Sequence, residues 1–385
     1  MNIDFTPKQQ EFRAEIRDWL ETHVPKKRLP SLDTKEGFEQ HREWERTLHQ
    51  GNWGMVTWPT EYGGRGCDLI EWLIFEEEYY RVDAPARVSQ NGIFLLGPTI
   101  MEYGTEEQKK RFLPPMAAGD EIWAQAWSEP GAGSDLAAIR SKAVRDGDEY
   151  VITGQKTWSS RAVFADWCFG LFRTEADSAR HKGLSKILVP LDSKGLTIRP
   201  IAQLDGDPGF AELFFDEVRV PVENLLGPEH GGWGVAMATA GFERGLLLRS
   251  PARFQAAASR LIKLYKNHAN RLSPGVKDQV MQAWIDTERF AAATYALVSQ
   301  VNAGASISSE SSANKIFWSE MDRHLHRTAM SIMGAQAEIE EGLEAIDDGR
   351  WLDGYMFSLA GPIYAGTNEI QRNILAERVL GLPRK

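Results

Sequence analysis

Cysteine is nearly absent from this chain of 385 residues, which holds only Cys67 and Cys168. Neither stands in a Cys-x-x-Cys or Cys/His ligand spacing, so a zinc site or a disulfide framework is not expected. Two inert thiols in a reducing compartment fit the pattern. Long apolar runs are missing too. No stretch approaches the ~20 apolar residues that a spanning helix requires, and no membrane span is expected. Positive charge is in deficit, 44 Lys and Arg against 54 Asp and Glu, a net −10. A nucleic-acid binder needs a basic face, so the balance argues against that class. An anionic ligand must instead find local cations or helix N-termini. Residues 1–10 carry neither an apolar signal core nor an Arg-rich amphipathic run, and a cytoplasmic location is the expectation. His324 and His326, two apart, fall on different helix faces, so no metal site is expected.

The length exceeds what one hydrophobic core usually serves, which predicts two or three lobes. The first third has helical periodicity. Phe5, Phe12, Ile16, Trp19 and Leu20 recur at helical spacing, and Thr6-Pro7 is an N-cap and first-turn pair. Further helices are predicted near 39–51 and 69–82, and over 105–117 behind the capping-box pattern Thr105-Glu-Glu-Gln108. The period then changes. Residues 143–153 are two short runs around Asp146-Gly147, a hairpin signal. Residues 187–191, 196–199 and 211–220 are strand-like. From Gly232 the helical period returns. The expectation is an α+β chain, mostly α: a helical domain over 1–121, a central antiparallel β-domain over 122–230 and a helical bundle over 231–385.

Four strings stand out. Trp127-Ser-Glu-Pro-Gly-Ala-Gly-Ser-Asp135 is either a plain glycine-rich connection or a loop whose backbone N–H groups meet an anion. It is not a Rossmann fingerprint, for position 136 is not glycine and no βαβ unit surrounds it. Gly154-Gln-Lys-Thr-Trp-Ser-Ser160 follows the hairpin. Its Trp158 is either core or a flat wall for a planar cofactor, with Ser160 as a hydrogen-bond donor. Tyr364-Ala-Gly-Thr-Asn-Glu-Ile-Gln-Arg372 breaks the period before a final helix, and Thr367 or Asn368 suits its N-cap. In Ala240-Gly-Phe-Glu-Arg-Gly-Leu-Leu-Leu248, helical steps from Glu243 reach Leu246, Leu247, Ser250, Phe254, Ala257 and Leu261. A carboxylate on such a face is costly unless paired. Glu243 therefore either pairs with a cation such as Arg244 or is a base whose pKa burial raises. Pro251 bends this helix or starts a new segment.

These strings, in this order and together with Phe-Phe-Asp-Glu-Val-Arg-Val-Pro at 214–221, resemble the acyl-CoA dehydrogenase family over essentially the whole chain. The resemblance implies an N-terminal helical domain, a central β-domain and a C-terminal four-helix bundle. It implies FAD as cofactor, with Gln125, Trp127, Ser128, Gly133 and Ser134 lining it and Trp158 packing on the flavin. Ser160 would bond near N5, and Thr367 and Glu369 would contact the FAD tail. Ser134 and Arg244 would assist the coenzyme A moiety. It further implies a homotetramer, with a heteromeric assembly as runner-up, and an electron-transfer flavoprotein as partner. The apolar residues Phe317, Trp318, Ile332 and Met333 are candidates for the subunit contact or for internal core.

Three positions depart from the commonest pattern of that family. Many members carry the catalytic glutamate just before Gly-Thr, where this chain has Ala365. A smaller branch, similar to isovaleryl-CoA and long-chain enzymes, carries it on the first helix of the C-terminal domain, and Glu243 matches that place. Glu243 is thus the expected base, and the backbone N–H of Ala365 the expected donor to the thioester oxygen. An Arg-x-x-Phe-Gly element reads Asn270-Arg-Leu-Ser-Pro-Gly275 here, and a Gln-x-x-Gly-Gly element is replaced by Ser331-Ile-Met-Gly-Ala335. Such losses occur in relatives that work as heteromeric pairs, including those acting on sterol side chains.

Overall fold

The structure is a computed structural model describing residues 4–244, 250–305 and 311–383. Five helices come first: α1 (Pro7–His23), α2 (Lys35–Gln50), α3 (Leu69–Arg81), α4 (Gly97–Tyr103) and α5 (Glu106–Ala118). Capping chemistry sets their starts. Thr34 accepts from the Gly37 N–H, so α2 begins four residues before the predicted 39. Asp68 and Glu71 close a capping box on α3, and Thr105 and Gln108 close the predicted one on α5. Helix α4 and the π-type turn before it, Asn91–Leu96, escape the periodicity because Gly92, Gly97 and Pro98 mask it. A Cβ at Gly97 would lie 2.2 Å from the Trp58 ring, which accounts for glycine inside a helix there.

Eight strands follow: β1 (Trp123–Ala126), β2 (Lys142–Asp146), β3 (Glu149–Ser160), β4 (Trp167–Arg173), β5 (Leu184–Pro190), β6 (Leu196–Ile201), β7 (Phe210–Pro221) and β8 (Leu225–Leu226). The order along the sheet is β6-β7-β3-β2-β4-β5-β8, with β1 on β4. The β2–β3 hairpin closes through Gly147-Asp148, Asp146 pairing Glu149. Most ladders are antiparallel as expected, but β1 runs parallel to β4, and β2 meets β4 in parallel at Lys142 and Arg173. The chain crosses over between β1 and β4, and a crossover permits parallel pairing. Strand β4 is buried along its middle, so it lacks the alternation that marks a strand in sequence.

Six helices complete the chain: α6 (Gly232–Arg244), α7 (Pro251–His268), α8 (Pro274–Asn302), α9 (Ser311–Met333), α10 (Arg350–Ala360) and α11 (Asn368–Ile374). Pro251 starts a new helix and does not bend an old one. Ser250, with φ −59 and ψ 133, caps α7 by accepting from the Ala252 N–H. Of the helical steps predicted from Glu243, Leu246 and Leu247 lie outside the described residues, and Phe254, Ala257 and Leu261 belong to the new helix α7.

The chain packs as two compact units that do not follow chain order. One holds residues 23–67 and 85–243, the other 1–22, 68–84 and 244–385. The first is built on the sheet, with Tyr150, Ile152, Phe172, Ile187, Val189, Leu213 and Phe215 in its core. The second is helical, with Leu261, Leu264, Leu325, Ile332, Met333 and Trp351 packed between helices. Trp318 is buried there as well, so Trp318, Ile332 and Met333 are internal core, while Phe317 is half-buried beside them. No described helix is long and apolar enough to cross a membrane.

In the helical unit, Glu78 pins α1 to α3. Its side chain, 1% exposed, accepts from Arg13 (3.0 Å), Arg17 (2.7 Å) and Arg81 (2.7 Å). Burial pushes this carboxyl up, but the three guanidiniums outweigh it and hold it at about 2. A depressed carboxyl stabilises above its unfolded value and loses that contribution as pH falls through the folded one. Glu78→Gln should cost about 3 kcal/mol near neutrality. Its stability should also change less than wild type's between about pH 4.5 and pH 2. Urea melts at several pH values check this, and parallel pH curves for the two proteins would contradict it.

Candidate active site

The second half of β3 carries the string from Gly154 to Ser160. Its ladder with β7 shifts register between Lys156, opposite Leu213, and Ser159, opposite Ala211. Thr157 and Trp158 thus share the space facing Glu212, which is a β-bulge. The bulge turns Trp158 outward. Lys156 and Ser159 are fully buried, whereas Trp158 is 59% exposed with φ +60. A bulky residue at positive φ is an outlier that its surroundings must impose. Among the described rings the indole meets Phe210 in a T-shaped contact, centroids 5.8 Å apart, and most of its surface is exposed.

Thirty residues earlier in sequence, the glycine loop lies against the same strand. The Thr157 N–H donates to the Ser128 carbonyl at 2.9 Å. The Lys156 ammonium donates to the Trp127 carbonyl (3.2 Å), the Leu171 carbonyl (2.7 Å) and the Glu129 carboxylate (2.8 Å). Glu129 also accepts the N–H groups of Arg140 (2.7 Å) and Ser141 (2.9 Å), which ties down the far end of the loop. Burial pushes Lys156 down to about 8 although Glu129 sits beside it. Burial pushes Glu129 up, yet Lys156 and the two N–H groups prevail and hold it below the usual range. Exchange of bonds between Glu129 and Ala132 makes the turn tight.

That clamp leaves Gly131, Gly133 and Ser134 exposed. A Cβ at Gly131 or Gly133 would meet nothing within 4 Å, and neither has positive φ. These glycines serve neither a strained turn nor an internal contact; they keep backbone open on the outer side. Trp127 is buried, and its indole N–H has no partner among the described residues. Ser128 and Ser160 are half-buried, as is Gln125 on β1. The structure thus ties the loop that starts at Trp127 and Ser128 to the strand that carries Trp158 and Ser160, giving a surface with the exposed indole of Trp158 on the strand and exposed Gly133 and Ser134 on the loop. Such a surface can take a planar ring and an anionic tail.

The other predicted residues belong to the helical unit or end α6. Ala365 (φ +57) and Gly366 (φ +78) form the turn before α11. The Gln371 side chain donates to the Ala365 carbonyl at 2.9 Å. Thr367 is the N-cap, accepting from the Ile370 N–H at 3.2 Å. Glu369 is exposed, 3.7 Å from Arg372. Buried Asn368 anchors the turn: it accepts from Lys315 (2.8 Å) and Ser319 (3.2 Å) and donates to Glu320 (2.9 Å). Glu243 and Arg244 close α6, and their side chains lie outside the described residues. Upstream of them Val235, Ala236, Thr239 and Ala240 are buried. That stripe defines the inward face of α6 over its described side chains.

Sequence reasoning gave no role to Lys156, Glu129 or Lys315, and offered Asn368 only as an alternative N-cap, a place that Thr367 takes. The available signal was a charged side chain inside strand or helix periodicity, which predicts a partner without naming it.

The family descriptions for the N-terminal, middle and C-terminal domains of acyl-CoA dehydrogenase match residues 6–120, 124–218 and 230–380. The acyl-CoA dehydrogenase IpdE1 of Mycobacterium tuberculosis is 41% identical over 386 residues, covering 98% of each chain. The structure is similar to the Tcur3481-Tcur3483 steroid ACAD, with a TM-score of 0.89 and 29% identity over the whole of both chains. It is likewise similar to the ChsE4-ChsE5 complex from Mycobacterium tuberculosis, with a TM-score of 0.86 and 32% identity over the whole of both chains. The chain belongs to the acyl-CoA dehydrogenase family of oxidoreductases, whose members are FAD-dependent flavoproteins.

Proposed function

We propose that this chain oxidises an acyl-CoA thioester to its trans-2-enoyl-CoA and passes the electrons to an electron-transfer flavoprotein. The observation that carries the reading is the exposed indole of Trp158, held at φ +60 on the bulge and hydrogen-bonded through Thr157 to the open glycine loop. That surface fits FAD, with Gln125, Trp127, Ser128, Gly133, Ser134, Trp158 and Ser160 as its contacts. Thr367 and Glu369 are assigned to the cofactor tail. FAD, when bound, supplies the acceptor for the β-hydrogen, taken as hydride. Glu243 removes the α-proton. The α-proton of a thioester is too weakly acidic for a carboxylate in water, so the base must sit in a dry site that raises its pKa. The Ala365 N–H donates to the thioester oxygen as charge develops there, a role that needs no side chain. Arg244 and Ser134 serve the coenzyme A moiety.

The similarity to the steroid ACAD favours a steroid-type acyl group. The loss of Arg-x-x-Phe-Gly at 270–275, with the similarity to the ChsE4-ChsE5 complex, favours assembly with an unlike chain over the homotetramer. Met281, Trp284 and Ile285, each 40–43% exposed at helical spacing on α8, offer an apolar contact for it. The division at 121 and 230 belongs to the same proposal, supported by the family matches that end and begin close to those positions.

Purified protein, alone and with FAD added, is titrated with straight-chain, branched and steroid side-chain acyl-CoAs. Loss of the flavin's visible absorbance, greatest with the steroid thioester, is expected. A flavin-loaded protein that none of them bleaches rejects the reaction, and a protein that takes up no flavin rejects the cofactor site.

A further inference from the structure

Lys186 sits in the middle of β5 with no exposed surface. Its strand neighbours in register are Leu171 and Leu226. Its partners among the described residues are neutral. The ammonium donates to the Thr239 hydroxyl at 2.6 Å and stands over the rings of Phe169 (4.9 Å) and Trp127 (5.5 Å). Taking an ammonium out of water without a carboxylate is expensive, and burial pushes Lys186 well below the ordinary lysine range. A methionine would fill similar volume without that cost.

The contacts join two elements. Thr239 lies on α6, four residues and one helical turn before Glu243. Its hydroxyl donates to the Val235 carbonyl (2.9 Å) and shares a bond with Thr99 (2.8 Å), whose own hydroxyl reaches the Leu95 carbonyl (2.7 Å). The oxygen of Thr239 thus takes a bond from Lys186 and lies against the Thr99 hydroxyl, which fixes α6 against β5 and α4. On its other side Lys186 contacts the face of Trp127, at the root of the glycine loop.

We propose that Lys186 is a positioning residue for the dehydrogenation, holding the Glu243 helix through Thr239 and the flavin loop through the ring of Trp127. The half concerning Glu243 rests on that residue being the base; the half concerning Trp127 does not.

The test compares full-length, FAD-loaded Lys186→Met, Thr239→Val, Thr239→Ser and Glu243→Gln proteins with wild type, their fold checked by circular dichroism. Lys186→Met and Thr239→Val should slow single-turnover flavin reduction by an acyl-CoA about 10- to 100-fold, the cost of a small misplacement. The turnover number should fall more than KM rises. Thr239→Ser, which keeps the hydroxyl, should recover most of the rate. Lys186→Met should also weaken FAD binding to the apoprotein, read by quenching of flavin fluorescence without any substrate. Wild-type rate and FAD affinity in Lys186→Met overturn the proposal, as does Thr239→Ser as slow as Thr239→Val. If Glu243→Gln reduces flavin at the wild-type rate, the base assignment fails by itself, and the FAD-binding measurement still decides the link to Trp127.

Discussion

Glu243→Gln should bind FAD and acyl-CoA normally and reduce the flavin about 10²- to 10⁴-fold more slowly than wild type, the usual loss when a general base is removed. Two arguments lead to this residue. Ala365 leaves no carboxylate before Gly366-Thr367. Glu243 lies in the last turn of α6, at the position that matches the helix-borne glutamate of one branch of the family. The competing structural role makes a different forecast. A glutamate that merely pairs with Arg244 would, on losing its charge, lower stability or cofactor content and leave the rate per bound flavin intact. Stopped-flow reduction on folded, flavin-loaded protein separates the two, and a wild-type rate there moves the base to another carboxylate.

Lys156→Met is expected to have the largest effect away from the reacting atoms. Glu129 is 9% exposed and Lys156 fully buried, so removing the cation strands a carboxylate. Breaking one partner of a buried pair typically costs about 3–5 kcal/mol. The Trp127 and Leu171 carbonyls also lose their donor, and with them the restraint on the glycine loop. The variant should melt well below wild type and copurify with little FAD. Glu129→Gln in the same chain should recover part of the stability, because an amide is cheaper to bury than an unpaired carboxylate. Thermal melts and flavin content per chain measure both. A Lys156→Met protein that keeps full flavin content would show that the clamp does not organise the loop.

Much of this molecule is local information. The Thr105 capping box, the Thr367 N-cap and the Pro251 helix start each need only side chains within one turn of the backbone group they satisfy. The β2–β3 hairpin needs only two alternating runs and a glycine able to adopt φ +62. The order of helices, strands and helices follows from the change of apolar period, and the four strings gave the family.

The tertiary structure decided what depends on residues far apart in the chain. Strands β1 and β4 are buried by layers contributed from elsewhere, so their sequences show no alternation to read. Whether Trp158 is core or wall is not written in Gly154–Ser160, since the outcome turns on how β7 sets its register against that strand. Lys156 finds Glu129 27 residues away, and Lys186 finds Thr239 53 residues away. A sequence shows that a charge lies within an apolar run. Only the fold determines what stands opposite it, because the energy of a buried charge is set by its neighbours in space and not by its neighbours in chain.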